Sequence, residues 1–324
     1  MRLFVVACAL ATAACAEPAV RDIYTPVRLF DGADFSKYFY TFIKDVGKDK
    51  DPKHVFSVKD GEIVISGQQW GCLTTKEVYS RYHLIAEWKW GAQTWGDRET
   101  RARDNGLVVH SIGEDGGYSG TWMNGIECQI IEGGTGDLLV VAPPERGLSL
   151  QSLFVPGEPE GQKHFSVQGK PITLQTGRLN WWGRDYKWED AINYRGPHDV
   201  ENMPGEWNRY EAVVDGPNIR VYLNGALVNA ATDVVPAAGK IQIQSEGAEI
   251  HFRRFDLYPI WSPPPAMKRS RMTADTYTDR QGNALTLKSP EDWAKFRERM
   301  RWNMSHICGP IGPPPAVEAS RSAP

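Results

Sequence analysis

The chain has 324 residues, a formal net charge of −3 and a charged fraction of 24%. This near-neutral balance argues against the strongly basic classes that bind nucleic acid or anionic membranes. A hydrophobic fraction of 41% is typical of a globular protein, and twelve Trp with twelve Tyr residues supply many flat rings. Such rings pack in cores and also serve as stacking surfaces for sugars.

Residues 1–16 predict an export signal. Arg2 is its short basic region, residues 3–10 are its apolar core, and residues 14–16 (ACA) form a small-residue cleavage site. We therefore expect a secreted or periplasmic protein. A second interpretation is a lipoprotein signal, in which Cys15 carries a lipid and anchors the protein to the outer membrane. No stretch is long and apolar enough to predict a transmembrane helix.

Residues 24–261 contain short alternating segments that predict one β-domain. Residues 27–32 open the folded part. The predicted strands, in chain order, cover residues 55–58, 62–65, 82–90, 104–111, 126–130, 209–215, 218–223, 226–228, 240–245 and 249–259. A further hairpin is expected within residues 164–174. Short strands, frequent turns and the lack of a helical repeat before residue 260 predict an all-β sandwich.

Two regions depart from this pattern. Residues 143–205 form a long, aromatic-rich loop region, and loops of that length in compact domains are often functional. Residues 262–324 begin with a Pro-rich linker. Within them, residues 289–304 predict a helix with Ser at its N-cap and Pro at its first position, and residues 310–324 predict a disordered tail.

Three cysteines, Cys72, Cys128 and Cys308, lie beyond the export signal. No C-x-x-C spacing is present, so a zinc site is not predicted. Cys128 is expected to be a buried thiol. A Cys72–Cys128 disulfide would suit an exported protein, but the sequence alone does not establish it. No cofactor is predicted.

The segment 124–136 (NGIECQIIEGGTG) is the candidate functional strand. Its alternation places Glu127 and Gln129 on one face and the apolar residues Ile126, Cys128 and Ile130 on the other. This pattern fits a strand that lines a polar groove. It also fits a half-solvated strand whose polar face only meets water.

Two other predicted strands carry polar residues on one face. In residues 104–111, His110 shares a face with Gly106 and Val108. In residues 240–245, Gln242 and Gln244 share a face.

Several segments in order resemble the 3-keto-disaccharide hydrolase domain family over residues 27–260. The matching segments are LFDG (29–32), VKDGEIVISG (58–67), YHLIAEWKWG (82–91), DNGLVVH (104–110), GIECQIIEGGTG (125–136), RGPHDVENMPGEWNRYEAV (195–213), YLNG (222–225) and GKIQIQSEGAEIHFRRFDLYPI (239–260). The resemblance implies a concanavalin-like, glucanase-like jelly-roll β-sandwich, which a short helical and Pro-rich tail would follow.

The resemblance also implies an enzyme that cleaves glycosides or oligosaccharides already oxidised at C3. A ketone at C3 acidifies the C2 hydrogen, and a general base can then remove it. The resulting enolate expels the glycosidic oxygen at C1 by β-elimination. This reaction needs a base, a group that stabilises the O3 oxyanion and an acid for the leaving group.

Two other functions remain open. A carbohydrate-binding, lectin-like module would use the same groove and aromatic residues without needing a base. A structural domain whose C-terminal helix docks a partner protein would not need the groove at all.

Site residues follow from matching this chain to the family's segments. Glu127 and Gln129 match an E-x-Q pair, which implies that Glu127 is the base. Gln242, Gln244 and Glu246 would line the concave groove and bind substrate.

His110 stands where the family usually has Arg. It could titrate as an acid or base, or it could be a hydrogen-bonded sheet residue. His198, beside Asp199 in the long loop region, is a further candidate for substrate binding. The candidate sugar-stacking residues are Trp122, Trp181, Trp182 and Trp188. The alternative is that these rings hold the long loop region against the sandwich.

Ordinary β-glucanases of this fold carry E-x-D-x-E on one strand face. The corresponding positions here hold Glu127, Gln129 and Ile131, and Glu132 has the opposite parity. A retaining pair of carboxylates on this strand is therefore not predicted.

A divalent metal is a further hypothesis. If neighbouring strands pair as the resemblance implies, Asp104, Glu127 and His110 could approach one another, and a metal there would polarise the O3 ketone. No spacing signature requires such a site.

Overall fold

The computed structural model describes residues 19–158, 160–260, 276–278, 284–286 and 289. Within these residues it contains 23 strands and two short 3₁₀ helices, at Gly96–Glu99 and Pro144–Arg146. The predicted export segment lies outside the described residues, as does the predicted helix beyond Ser289.

The strands are short, as predicted. The first twelve are β1 (Val20–Arg21), β2 (Val27–Arg28), β3 (Phe39–Ile43), β4 (Gly47–Lys48), β5 (Phe56–Lys59), β6 (Glu62–Ile65), β7 (Gly71–Thr75), β8 (Val78–Tyr79), β9 (Arg81–Thr94), β10 (Asp104–Ile112), β11 (Asn124–Ile131) and β12 (Leu138–Val141). The others are β13 (Ser149–Pro156), β14 (Lys163–Phe165), β15 (Lys170–Leu174), β16 (Gly177–Leu179), β17 (Asn208–Asp215), β18 (Asn218–Leu223), β19 (Ala226–Val235), β20 (Lys240–Ser245), β21 (Ala248–Tyr258), β22 (Thr276–Thr278) and β23 (Ala284–Thr286).

Two antiparallel sheets pack face to face and form the predicted jelly-roll β-sandwich. The groove sheet has eight strands in the order β16-β12-β11-β10-β20-β7-β3-β4. The outer sheet has eleven strands and runs β14-β13-β19-β18-β17-β9-β21-β6-β5, with β15 beside β13 and β2 beside β21. This order places β11, β10 and β20 side by side near the centre of the groove sheet.

Alternation along these central strands separates the core from the groove. Ile126, Cys128 and Ile130 of β11 belong to the apolar cluster between the sheets, as predicted. Leu107 of β10 pairs with Cys128, and Ile243 of β20 pairs with Leu107, so both also face the core. The polar residues between them therefore point to the opposite face of the groove sheet, which we call the groove face.

Some strands escaped prediction because both of their faces are buried. All five residues of β7 are buried, so its sequence GCLTT shows no alternation of polar and apolar side chains. The hairpin predicted within residues 164–174 is wrong. β14 and β15 each pair with β13, and they extend the outer sheet.

Cys72 and Cys128 are buried free thiols. Cys72 pairs with Gln244 and shares the groove face with it, whereas Cys128 belongs to the core. The two side chains project from opposite faces of one sheet, so the disulfide that export would permit does not form. Burial raises the pKa of Cys72 to about 12, which keeps this thiol protonated.

A buried carboxylate just before β12 holds residues 178–184 of the long loop region. Oδ1 of Asp137 accepts the backbone N–H of Trp181 at 2.7 Å. Oδ2 accepts a hydrogen bond from Nη1 of Arg178 at 2.7 Å and another from Arg184. Removing the charge of Asp137 would leave two guanidinium groups without their counter-ion.

We expect Asp137→Asn to lower the free energy of unfolding by about 3 kcal/mol or more, because it breaks a buried ion pair. Urea denaturation measures this. Asp233→Asn is the matched control, since Asp233 is exposed and its φ of 48° suits Asn. The control should change stability by no more than about 0.5 kcal/mol. Equal losses in the two variants would contradict the role given to Asp137.

Candidate functional site

Glu127 and Gln129 lie on the groove face of β11. Across the ladder with β10, Glu127 pairs with Val108 and Gln129 pairs with Gly106. β20 runs along the other edge of β10, where Gln242 pairs with Val108. The structure therefore brings the E-x-Q pair close to the glutamines of β20, one strand away.

Gly106 lets two of these side chains fold over the sheet backbone. A Cβ at this position would lie 2.3 Å from Oε1 of Glu127 and 2.5 Å from Oε1 of Gln244. Both distances are far below van der Waals contact. Glycine thus creates the space in which the carboxyl and the amide meet.

These side chains are buried yet keep unused hydrogen-bonding atoms. Glu127 is 5% exposed, Gln129 3% and Gln244 1%. Among the described residues, no hydrogen-bond partner is present for Oε1 of Gln129 or for Oε1 of Gln244, while the amide of Gln244 also acts on the carboxyl of Glu127. Buried polar atoms are normally satisfied, so these amides are suited to a polar ligand that enters the site.

Asp104 and Glu246 bring two more carboxyls to Glu127, and Arg98 joins them. Nη2 of Arg98 donates to Oδ2 of Asp104 and lies 3.7 Å from Oε1 of Glu246. Nη1 of Arg98 lies 3.4 Å from Oδ1 of Asp190 in the long loop region. Arg98 thereby ties its own short helix, the groove sheet and the long loop region together at one end of the site.

Burial holds protons on this cluster. The pKa of Glu127 is raised to about 8, first by burial and then by the charge of Asp104. Burial raises the pKa of Asp104 to about 6 against the opposing charge of Arg98. Burial, followed by the charges of Asp104 and Glu127, also raises the pKa of Glu246. The cluster therefore offers both a protonated acid and a strongly basic carboxylate near neutral pH.

Arg178 is a site residue that the sequence analysis missed. It pairs with Leu139, which in turn pairs with Glu127, so all three lie in one cross-strand row. Nη1 of Arg178 donates to Asp137, and the positive charge of Arg178 lowers the pKa of Glu127. No signal marked it, because β16 is a three-residue edge strand. Arg98 was equally hidden, because it lies between the predicted strands 82–90 and 104–111, where no alternation marks it.

Gln242 has its hydrogen bonds filled by the protein. Its Oε1 accepts the backbone N–H of Met123 at 3.0 Å, and its Nε2 donates to Oγ1 of Thr74 at 2.9 Å. This amide holds the segment before β11 against the groove face. The structure therefore gives Gln242 a structural role, unlike Gln244.

The predicted orientation of His110 is wrong. The ladder is irregular between Val109 and Ile112, and His110 has a φ of 52°, which turns its side chain away from the groove. Its fully buried ring places Nε2 2.9 Å from the backbone oxygen of Gly216, at the turn between β17 and β18. Burial lowers the pKa of His110 to about 4, so the ring is neutral.

This orientation also removes His110 from the hypothetical metal set with Asp104 and Glu127. Asp104 is instead bound by Arg98. Within the described residues, no group of three or more His, Cys, Asp or Glu is placed to hold a metal ion.

Trp122 forms an aromatic pair with Trp70, which was not among the candidates predicted from the sequence. Its ring stacks on Trp70, with ring centroids 5.5 Å apart. The backbone oxygen of the preceding Thr121 lies 3.9 Å from Sγ of Cys72, which places this segment over the groove face. Trp70 is 41% exposed, so the pair presents an open ring surface.

Two of the other candidate rings hold the long loop region against the sandwich. Nε1 of Trp181 donates to the backbone oxygen of Gly133 at 3.3 Å, and Nε1 of Trp188 donates to that of Glu132 at 2.8 Å. Trp181 is buried, and the guanidinium of Arg184 lies 4.1 Å from the ring of Trp188. Both rings therefore fit the structural alternative.

Trp182 packs edge-on against Trp181, with ring centroids 5.3 Å apart, and His198 lies on Trp182. The ring centroids of Trp182 and His198 are 6.3 Å apart, and Nε1 of Trp182 donates to the backbone oxygen of Leu227 in the outer sheet. Trp182 is 46% exposed, and His198 is exposed. The structure gives neither of them a contact with Glu127.

Glu132 is committed to the long loop region. Its Oε1 accepts from Nη1 of Arg103 at 2.7 Å, and its Oε2 accepts the backbone N–H groups of Arg103 and Asn193. It makes no pair with Glu127, as the parity of the strand predicts. The carboxyls that do approach Glu127 come from β10 and from the end of β20, where a single-strand pattern could not reveal them.

The family described as the 3-keto-alpha-glucoside-1,2-lyase-like domain matches residues 25–257. The chain belongs to this family. Both the family and the jelly-roll fold expected from the sequence are confirmed. The chain is accordingly a glycosyl hydrolase-like or carbohydrate-binding jelly roll. No curated protein matches the chain in sequence.

Solved structures resemble the lyase-like domain at low identity. A glycosyl hydrolase-like protein from Parabacteroides distasonis ATCC 8503 is 20% identical, and the match spans 73% of this chain and 94% of that one with a TM-score of 0.42. A β-glucanase from Bacillus licheniformis is 11% identical, and the match spans 73% of this chain and 99% of that one with a TM-score of 0.38. The carbohydrate-binding module CBM66 from Bacillus subtilis is 13% identical, and the match spans 60% of this chain and 84% of that one with a TM-score of 0.33. At this level the likeness assigns no activity.

In the part of the chain that the structure describes, no helix is long and apolar enough to cross a membrane.

The raised pKa of Glu127 predicts a pH-dependent stability. Relative to its ordinary value of 4.5, a folded-state pKa of about 8 means that the native state holds this proton more tightly. The resulting stabilisation is full below about pH 4.5 and is lost as the pH rises to about 8. Glu127→Gln keeps a neutral side chain at every pH, so it does not lose this stabilisation. Between pH 5 and 9, its free energy of unfolding should rise relative to that of wild type by a few kcal/mol, on the order of 1.4 kcal/mol per pKa unit.

Chemical denaturation across this pH range measures the difference. Exposed Glu145 provides the control, since Glu145→Gln should leave the pH dependence of wild type unchanged. A difference between Glu127→Gln and wild type that stays constant with pH would contradict a buried, protonated carboxyl.

Proposed function

We propose that this domain cleaves glycosides that carry a ketone at C3, by C2 proton abstraction and β-elimination. The observation that carries the proposal is the Glu127 carboxyl, which lies over Gly106 beside the open amide atoms of Gln129 and Gln244. A 3-keto sugar in this place would bring hydroxyl and ketone oxygens to buried donors and acceptors that need partners.

Glu127 acts as the base in this proposal. Its ionised carboxylate takes the proton from C2, and the electron pair of the C–H bond forms an enolate whose negative charge rests on O3. When the ketone re-forms, the C1–O bond breaks and the glycosidic oxygen leaves with its electron pair. The products are the protonated aglycone and a 3-keto sugar with a C1–C2 double bond. Addition of water to that bond gives net hydrolysis.

Arg178 supplies the positive charge that the enolate requires. The family resemblance suggested a cation on β10, but the corresponding residue here, His110, points into the core and is neutral. Arg178 already acts electrostatically on Glu127 from the same cross-strand row. A fixed guanidinium is suited to a developing oxyanion because it needs no proton transfer.

Asp104 and Glu246 are the candidates for the acid that protonates the leaving oxygen. Both are buried at the Glu127 end of the groove, and both have raised pKa values. Arg98 orients Asp104 through one carboxylate oxygen, while Oδ1 has no partner among the described residues. The stacked pair Trp70 and Trp122 gives the apolar face of a sugar a surface on which to pack.

We also propose that the protein acts outside the cytoplasm, secreted or periplasmic. This rests on the export pattern of residues 1–16, with lipid attachment at Cys15 as its variant form.

Carbohydrate binding without turnover is the second candidate function. It is favoured by the nearly complete burial of Glu127, because a protonated carboxyl donates a hydrogen bond to a sugar hydroxyl instead of removing a proton. The amides of Gln129 and Gln244 would then serve recognition alone.

Turnover of 3-keto-glucosides of both anomers, compared with the same glucosides before oxidation, separates these functions. The wild type should release the aglycone only from a 3-keto substrate, with kcat/KM rising with pH towards about 8 as Glu127 ionises. Glu127→Gln should lower kcat by about a hundredfold or more and leave binding within a few-fold. Binding of these sugars by wild type without product would support the second candidate and sink the first.

Gly106→Ala tests whether the reaction needs Glu127 and Gln244 to meet over residue 106, and it removes no functional group. The atoms nearest to the added methyl are at the ends of the Glu127 and Gln244 side chains, which can shift, so the variant should fold while losing about tenfold or more of kcat. Gly196→Ala is the control, because its Cβ would lie 3.2 Å from a side-chain atom of loop residue Asp185. If Gly106→Ala retained full turnover, the contact between Glu127 and Gln244 over Gly106 would not matter for the reaction.

A further inference from the structure

A cavity of about 870 Å³ lies on the groove sheet away from Glu127, where β20 begins. Its polar wall contains Tyr40, Lys48, Asp115 and Lys240. None of these residues belongs to the site around Glu127, and the proposed glycoside chemistry does not use them.

Protein side chains separate this cavity from Glu127. One cross-strand row runs from Tyr40 through Thr74, Gln242 and Val108 to Glu127. The side chains of Thr74 and Gln242 hydrogen-bond to each other and are fully buried beneath the segment that holds Met123. The middle of the row is therefore filled, and protein side chains separate the cavity from the site around Glu127.

Two ammonium groups share one aromatic ring in the polar wall. Nζ of Lys48 lies 3.6 Å from the ring centroid of Tyr40, and Nζ of Lys240 lies 4.7 Å from it. Nζ of Lys240 donates to the hydroxyl oxygen of Tyr40 at 3.1 Å, and that hydroxyl donates to Oδ1 of Asp115 at 2.8 Å. Oδ2 of Asp115 lies 3.8 Å from Nζ of Lys48.

The charges in this wall do not balance. Asp115 faces both Lys48 and Lys240, and the other acidic residue of the cavity, Glu114, is bound by Arg146 at 3.1 Å. One positive charge is thus left over. Burial lowers the pKa of Lys240, and the charge of Lys48 lowers it further against the weaker pull of Asp115. A single negative charge placed between the two lysines would relieve this repulsion.

Apolar residues also line the cavity. They are Val20, Val78, Ile112, Met123, Pro236 and Ala237. The two serines nearby have used their hydroxyl donors, since Ser80 donates to the backbone oxygen of Ala237 at 2.7 Å and Ser111 donates to that of Val108 at 3.0 Å. A sugar would find few partners on this side, whereas a hydrocarbon body would bury apolar surface.

We propose that this cavity binds an organic monocarboxylate with an apolar body. The carboxylate lies between Lys48 and Lys240, and the body packs on the wall formed around Met123 and Pro236. The cavity volume lies within the range of small-molecule sites, which combine apolar walls with a few polar anchors. The site is independent of Glu127 and of the proposed cleavage of glycosides.

Calorimetric titration of the full chain with phenylbutanoate, and with phenylbutanol as the uncharged match, tests the proposal. The wild type should bind the carboxylate saturably and about tenfold or more tightly than the alcohol at low salt. The variant Lys48→Met with Lys240→Met should lose this tenfold preference and keep its affinity for the alcohol. Each single variant should lose part of the preference.

Two controls locate the binding. Lys59→Met changes an exposed lysine on the outer sheet and should bind as the wild type does. Glu127→Gln should also bind phenylbutanoate as the wild type does, because the cavity is separate from the site around Glu127. Thermal melting with and without ligand establishes that each variant is folded.

Three results would overturn the proposal. The first is the absence of saturable phenylbutanoate binding to wild type up to about 10 mM. The second is equal weakening by Lys59→Met and by the double variant. The third is loss of binding in Glu127→Gln, which would place the carboxylate in the groove beside Glu127. None of these results bears on whether 3-keto-glycosides are cleaved.

Discussion

The buried carboxyl of Glu127 is the constraint on which the site depends. A carboxylate removed from water is costly unless it is paired, so the surroundings must either neutralise it or keep it protonated. The structure does some of both. Arg178 supplies positive charge from the edge of the groove sheet, while burial and Asp104 raise the pKa of Glu127 to about 8. The result is a group that can give or take a proton at working pH.

The scaffold around Glu127 explains how such a group is kept in place. β11 is central in the groove sheet, and the turn that follows it carries Glu132 and Asp137, whose buried carboxylates bind the long loop region. Arg98 closes the same end of the groove by contacting Asp104 and Asp190. The loop region that the sequence marked as unusual is therefore packed, and two of its Trp rings serve this packing.

Strand periodicity predicted an all-β sandwich and the shared face of Glu127 and Gln129, because a two-residue repeat survives wherever one face of a strand is polar. The jelly roll and the role of Glu127 were implied by the family resemblance. Glu127, Gln129 and Gln244 lie where this repeat places them. The repeat failed at His110, where a bulge and a positive φ reverse the side chain. It was silent for Arg98 and Arg178, since a loop and a three-residue edge strand have no period to detect. These two residues became visible only when the folded chain brought them to the carboxyls.

The groove face also carries two regions of different chemistry. Gln242 and Thr74 fill its middle, with carboxyls and open amides on one side and two lysines around Tyr40 on the other. The site around Glu127 suits polar sugar oxygens, and the cavity suits an anion with an apolar body. A single ligand with both a sugar and an apolar carboxylate would have to pass through the buried side chains of Thr74 and Gln242. We therefore expect the two regions to bind separate ligands.

The central claim is that Glu127 keeps its proton in the folded protein at neutral pH. Infrared difference spectra between the wild type and Glu127→Gln, recorded as a function of pH, test it directly. The account predicts a protonated carboxyl band that is present at pH 7, absent in the variant and lost with a midpoint near 8. A midpoint near the ordinary value of 4.5 would contradict it.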